Sequence, residues 1–284
     1  MVEVMTRVRA AQVVRPRQEA SYKGTYGRIV IVAGDVHFGG AAIMSASAAV
    51  NAGAGLVTVA TAAANHAPLH ARLPEAMVCT WDDALLPELL ARADVVVVGP
   101  GLGDGAAAHV VLELVLAIVT TPQTLIIDGS AIDLLATGGD TQTHTEQTVW
   151  TPHSMEWQRL SGIPIAKQTV SQNQEFAATI PGLVGCKGAP TVTLDGQRAI
   201  ANSTGGPAMA TGGSGDTLTG VLAAFIGQFG FSIEVVAAAV WVHSAAADRV
   251  AATHYVALPT MVSAELGTLM HELADSDTTE EEEQ

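Results

Sequence analysis

The chain has 284 residues, enough to bury a large core as one α/β domain or two smaller ones. Hydrophobic residues make up 49% and aromatics only 4%, so the apolar mass is small aliphatic side chains that let helices lie close on a sheet. A formal charge of −15 argues against nucleic acid as a partner, and no apolar run approaches the ~18–20 residues of a membrane span.

Cys79 and Cys186 make neither a disulfide framework nor a zinc site, and no metal site of the protein's own is expected. The N-terminus lacks the apolar stretch of a signal peptide, so a cytoplasmic location is expected.

Taken in order, residues 1–22 carry scattered arginines and read as an N-terminal arm. Ile29–Gly34 is a β-branched run that predicts a buried strand. A small-residue helix over 41–51 is stopped by Gly53 and Gly55, and Leu56–Thr61 is the next strand. This β–loop–α–β unit is the module of a parallel sheet. Further strands are predicted at Asp94–Gly99, Thr124–Asp128, Gln147–Trp150, Leu183–Lys187 and Pro190–Leu194. Helices are predicted around 84–92, over 107–119, through Leu134 and Leu135, and over Ser154–Leu160. Three more follow at 217–228, 233–253 and 259–272, before an acidic tail (273–284) expected to be disordered. No linker divides the chain, so residues 23–272 read as a single doubly wound domain, a mostly parallel sheet with helices on both faces.

In such a sheet, ligands bind outside the carboxyl ends of the strands. The unusual loops all follow strands: Gly39–Ala42, Gly99–Gly103, Asp128, Thr151–His153, Lys187–Ala189 and Gly205–Asp216. The last is the most informative. Its glycines (205, 206, 212, 213 and 215) lead into an apolar helix, and backbone N–H groups with a helix N-terminus make an anion site. Asp216 stands where loop becomes helix. It reads as an ordinary cap, as the base that takes a proton from a hydroxyl attacking a phosphate, or as the holder of a metal that bridges to that phosphate. Lys187 reads as an exposed loop lysine or as a cation for phosphates. His153 reads equally as a ligand contact or a structural histidine. Asp128 reads first as a cap for the following helix, and His243 as a buried structural residue. Gly101–Ala106 fits G-x-G-x-x-G/A, but Asp128 lies too far along to hold a ribose, and Lys187 is followed by Gly188, which excludes a Walker motif.

The motifs Lys23–Arg28, Gly39–Ala42, Gly53–Val57, Gly99–Gly103, Thr151–His153, Lys187–Ala189 and Gly212–Asp216 together resemble, in order, the ADP-dependent (S)-NAD(P)H-hydrate dehydratases of the ribokinase-like superfamily. The resemblance implies a ribokinase-like fold and repair of NADH and NADPH hydrated at the nicotinamide ring, with ADP split to AMP and phosphate and Mg²⁺ bridging phosphates. It implies that Ala41, Gly103, His153 and Asp216 contact the hydrated dinucleotide. Lys187, Gly188, Ala189, Pro190, Thr191 and Gly215 would hold the nucleotide, with Asp216 as base. It further implies a homo-oligomer, a tetramer, and a separate NAD(P)H-hydrate epimerase, since residues 1–22 are too short for that domain. Two positions depart from the family pattern: Ser130 replaces a carboxylate, and Gly206 replaces an asparagine. A small-molecule kinase of the same fold and a non-catalytic nucleotide-binding module are the alternatives.

Overall fold

A computed structural model describes residues 1–139 and 141–281, apart from the side chains of 276–281. The first half runs β1 (Val2–Met5), α1 (Arg7–Val13), β2 (Arg28–Val32), α2 (Gly39–Asn51), β3 (Leu56–Ala60), α3 (His66–Arg72), β4 (Met77–Cys79), α4 (Leu86–Arg92), β5 (Val95–Val98) and α5 (Ala106–Ile118). The second half runs β6 (Thr124–Ile127), α6 (Ser130–Gly138), β7 (Thr148–Trp150), α7 (Ser154–Ser161), α8 (Val170–Ala177), β8 (Leu183–Cys186), β9 (Val192–Leu194), β10 (Ala199–Asn202), α9 (Ser214–Phe229), α10 (Ile233–Ala251) and α11 (Pro259–Glu281).

The strands form one sheet in the order β1-β10-β9-β8-β7-β6-β5-β2-β3-β4. Only β9 runs against its neighbours. Both faces are covered, which is why the strands read as unbroken apolar runs rather than alternating ones. Ile29, Ile31, Val95, Val97 and Ile126 point into one core layer with α2, α9, α10 and α11. Val30, Val32, Val96, Val98 and Ile127 point into the other with α4 to α7. After β2 the chain winds outward through β3 and β4, and after β5 it winds the other way. The β2/β5 boundary is therefore the topological switch point, where a crevice opens at the carboxyl ends.

Several segments differ from expectation. Residues 1–14 are part of the fold: β1 pairs in parallel with β10, Val2 opposite Ala199, and Met5, Ala10 and Val14 are buried. The short segments α3, β4, α8 and β10 carry too little periodicity to be read from sequence. Helix α11 continues past 272 with Leu273 and Ala274 buried, so the packed chain reaches into the segment expected to be a tail. Residues 282–284 lie outside the described residues.

One close contact sets the site. At Gly220 of α9 a Cβ would collide with the carbonyl oxygen of Ser45 in α2 and come within 2.9 Å of the Ala48 Cβ. Glycine there lets the two helices touch, and a buried hydroxyl pair, Ser45 Oγ to Thr219 Oγ1 at 2.9 Å, locks their register. Helix α9 also packs on β2, β5 and β6, so its N-terminus comes out over the middle of the sheet beside that of α2.

Candidate active site

The glycine loop is shaped by its backbone. Gly205 (φ 94°) and Gly213 (φ 93°) are left-handed, a conformation side chains resist. At Gly213 a Cβ would also meet the Met44 thioether. Asp248 Oδ2 accepts the Gly205 N–H at 2.8 Å, and the Ser214 hydroxyl donates to Met209 O at 2.8 Å, which closes the loop onto the helix. Gly213 is the N-cap of α9, so Asp216 is the third residue of the helix and caps nothing. Its carboxylate has no hydrogen-bond partner among the described residues, which removes the cap reading.

A charge cluster surrounds that carboxylate. Lys187, just beyond β8, donates to Asp128 Oδ1 at 2.6 Å and lies 3.9 Å from Glu156 Oε2. The same Asp128 oxygen accepts the Thr151 hydroxyl at 2.7 Å. Asp128 is 2% exposed, and α6 is capped by Gly129. The cap reading of Asp128 therefore fails, and it belongs to the site. The Lys187 side chain is 19% exposed, so it is not a free loop lysine. Burial alone would lower its pKa, but the charges of Asp128 and Glu156 outweigh burial and raise it. Burial raises Glu156. Burial, then the charge of Asp128, lifts Asp216 to about 6, with Lys187 opposing. A carboxyl poised near neutrality and free of hydrogen bonds can accept a proton and later return it.

His153 caps α7. Its Nδ1 accepts the N–H groups of Met155 and Glu156 at 3.1 and 3.2 Å, so the neutral ring carries its proton on Nε2, which faces Glu156 Oε1 at 3.2 Å. Glu156 in turn accepts the His153 N–H at 2.7 Å, a reciprocal capping box. The outer part of the imidazole stays open, with the side chain 53% exposed. Sequence reasoning missed Glu156, although the His153-x-x-Glu156 spacing ahead of an apolar turn was the available signal.

Beside the cluster lies a cavity of about 700 Å³. Every residue expected to hold the nucleotide, Lys187 to Thr191 and Gly215, lines it. A Cβ on Gly215 would point at Lys187 Nζ from 3.3 Å, so glycine keeps the space between them open. The residues expected to meet the substrate lie outside this cavity. Ala41 packs against Gly101, and Asp35 N–H donates to Gly101 O at 2.7 Å, joining the loops at the switch point. Gly103 N–H donates to Ser130 Oγ at 3.1 Å, so the unusual Ser130 fixes that loop. The predicted residues thus fall into two groups, with Lys187 and Asp216 between cavity and crevice. His243 is buried as expected, but it also lines the cavity.

Sheet order, glycine loop, helix N-terminus and carboxylate–lysine cluster define an α/β nucleotide-binding enzyme of the ribokinase-like kind. The chain belongs to the NAD(P)H-hydrate dehydratase family, whose model matches residues 29–268. An ADP-dependent (S)-NAD(P)H-hydrate dehydratase of Lactiplantibacillus plantarum is 49% identical over 257 residues, covering 90% of this chain and 92% of its own. A ribokinase-like superfamily protein of Enterococcus faecalis superposes with a TM-score of 0.94 at 44% identity, covering 96% of both chains. The ADP/ATP-dependent NAD(P)H-hydrate dehydratase of Bacillus subtilis, co-crystallised with ATP and Mg²⁺, shares the fold (TM-score 0.83, 24% identity, 96% of this chain and 99% of that one).

Proposed function

We propose that this protein is an ADP-dependent (S)-NAD(P)H-hydrate dehydratase in which Asp216 is the catalytic base. The observation that carries the reading is the unpaired Asp216 carboxylate, with a pKa near 6, at the N-terminus of α9 beside Lys187 and the nucleotide-sized cavity.

ADP enters the cavity with its phosphates toward Lys187 and the N–H groups of Gly215 and Asp216, which the helix leaves unpaired. The hydrated nicotinamide ring lies over the switch-point crevice, against Ala41, Gly103 and the open edge of His153. Asp216 removes the proton of the ring hydroxyl, whose oxygen attacks the terminal phosphorus of ADP; the bond to the bridging oxygen breaks and AMP leaves. Hydroxide is a poor leaving group, but phosphate is a good one. The ring-nitrogen lone pair expels it, and loss of a proton from the neighbouring carbon restores the double bond. Lys187 and the helix amides stabilise the negative charge on the transferring group.

Mg²⁺ fits this site as an ion brought by the nucleotide. Among the described residues no three His, Cys, Asp or Glu side chains form a metal site. Yet three carboxylates, Asp128, Glu156 and Asp216, face a single ammonium, a surplus of negative charge that a cation would neutralise. Asp128 and Glu156 would hold the ion together with the phosphates, and the ion would supply positive charge against that developing on the transferring group. The proposal includes a cytoplasmic location, which suits the two unpaired cysteines. It also includes a homo-oligomer, a tetramer by resemblance, supported by the exposed apolar Val2, Val4 and Val8 along the β1–α1 edge, and an epimerase supplied as a separate chain.

The test is absorbance at 340 nm with hydrated NADH, ADP and Mg²⁺. Growth that requires ADP, is absent in Asp216→Asn and is accompanied by free phosphate is the expected result. A stable phosphate ester from a small alcohol, with no growth at 340 nm, would replace this reading with a kinase of the same fold.

A further inference from the structure

The α10 wall of the cavity carries a side chain that the fold itself does not use. Val240, His243 and Ser244 are spaced three and one residues apart, share a helix face and line the cavity together. His243 is 4% exposed, yet neither ring nitrogen has a hydrogen-bond partner among the described residues. Its ring nitrogens are not sealed away from solvent, so their unused hydrogen-bonding capacity is open to whatever occupies the cavity.

Its polar neighbours, by contrast, are hydrogen-bonded to one another. Asn202 Nδ2 donates to Thr204 O at 2.8 Å and to Ser244 Oγ at 3.1 Å. Asn202 Oδ1 accepts from the Thr204 backbone N–H at 3.4 Å, and the Thr204 hydroxyl reaches Trp241 O at 3.1 Å. On this wall the Ser244 hydroxyl already accepts from Asn202, whereas His243 makes no hydrogen bond to any described residue at either ring nitrogen. Burial pushes its pKa down to about 4, so the ring is neutral near pH 7, with one donor and one acceptor. A neutral ring adds little for phosphates already met by Lys187 and the helix amides. It suits an uncharged group that both gives and takes hydrogen bonds.

We propose that His243 recognises the nucleoside half of the nucleotide, exchanging a hydrogen bond with the base or a ribose hydroxyl while Lys187 and Gly215 hold the phosphates. This rests on reading the cavity as the ADP site. The exchange also explains why a histidine stands in the mostly apolar middle of α10.

The test is titration of ADP and of inorganic pyrophosphate into wild type and His243→Leu. A ¹⁵N spectrum of the wild-type imidazoles, with and without ADP, accompanies it, the His243 signals being assigned by their loss in His243→Gln. In His243→Leu, ADP should bind about 5- to 30-fold more weakly, with pyrophosphate within about 2-fold of wild type. In wild type, ADP should move the His243 ring-nitrogen resonances. Unchanged ADP affinity, equal weakening of both ligands, or unmoved resonances at saturating ADP each overturn the proposal. If the leucine variant does not fold, the wild-type spectrum decides. Failure of wild type to bind ADP at all would overturn the nucleotide reading of the cavity, and this proposal with it.

Discussion

The two halves of the site are built differently. The nucleotide half is a cavity made largely of backbone and small residues: Gly188, Ala189, Pro190, Gly205, Gly206 and Gly215 leave room and present amides, and Lys187 supplies the one charge. The reacting half is made of side chains whose charges perturb one another: Asp128, Glu156, Lys187 and Asp216. The first half needs space, which glycine provides wherever it stands. The second needs ionised groups held in mutual range inside a buried pocket, and that depends on distant elements meeting. Lys187 apart, the first should therefore tolerate side-chain charge changes, and the second should not.

Asp216→Asn should draw the sharpest line between the halves. Loss of a positioned base should lower kcat about 10²- to 10⁴-fold, while ADP affinity by calorimetry stays close to wild type. The same variant should be more stable. Because the folded-state pKa is raised from 3.8 to about 6, folding disfavours the ionised form. That destabilisation is absent below pH 3.8, grows through the interval and is complete above pH 6. Removing the charge at pH 7 should raise unfolding free energy by about 1–2 kcal/mol, after allowing for partial exposure. A less stable Asp216→Asn would mean that the carboxylate has a structural role instead.

Lys187→Met spans both halves and should damage both. It leaves Asp128 and Glu156 buried without their cation, at a cost of about 2–4 kcal/mol in denaturant unfolding, and ADP binding should weaken as well. Asp128→Asn acts first on the reacting half. With the negative charge of Asp128 gone and Lys187 freed, the pKa of Asp216 falls. The acid limb of kcat/KM against pH, set near 6 in wild type, should move to lower pH. An unmoved limb would show that the two carboxylates do not sense each other.

Smaller effects test the scaffold. Gly220→Ala forces α2 and α9 apart and should cost about 1–3 kcal/mol, with the activity loss reflecting displacement of the α9 N-terminus. Glu156→Ala removes half of the α7 capping box, worth about 1 kcal/mol, but also relieves a carboxylate whose pKa burial raises. The net stability change should therefore be small, while kcat falls with a member of the reacting half gone.

The glycine loop, Lys187 and the strand-end loops could be read from sequence because their signals are local. A string such as Gly212–Asp216 is unusual in itself, and β-branched runs such as Val95–Val98 mark strands without reference to anything distant. Asp128 was misjudged because its meaning comes from Lys187, 59 residues later. Nothing in Asp128-Gly-Ser-Ala separates a helix cap from a buried counter-ion. Glu156 went unnoticed because on α7 it looks like an ordinary first-turn acid; only folding turns it toward Lys187. The segment Val2–Met5 is short and half polar, and it becomes a strand because β10 offers an unpaired edge.

By itself, then, the sequence determined the α/β class, the parallel strands with their site loops at one end, the anion-binding glycine loop and the aspartate at its close. These follow from composition, periodicity and backbone chemistry over a few residues. Tertiary structure alone decided the strand order, the place of the first fourteen residues in the sheet and the charge cluster that lifts the Asp216 pKa. It also turned the unpaired face of His243 into the cavity. Those features depend on which distant groups share a low-dielectric space, and Coulomb and desolvation energies are set by distances through space, not along the chain.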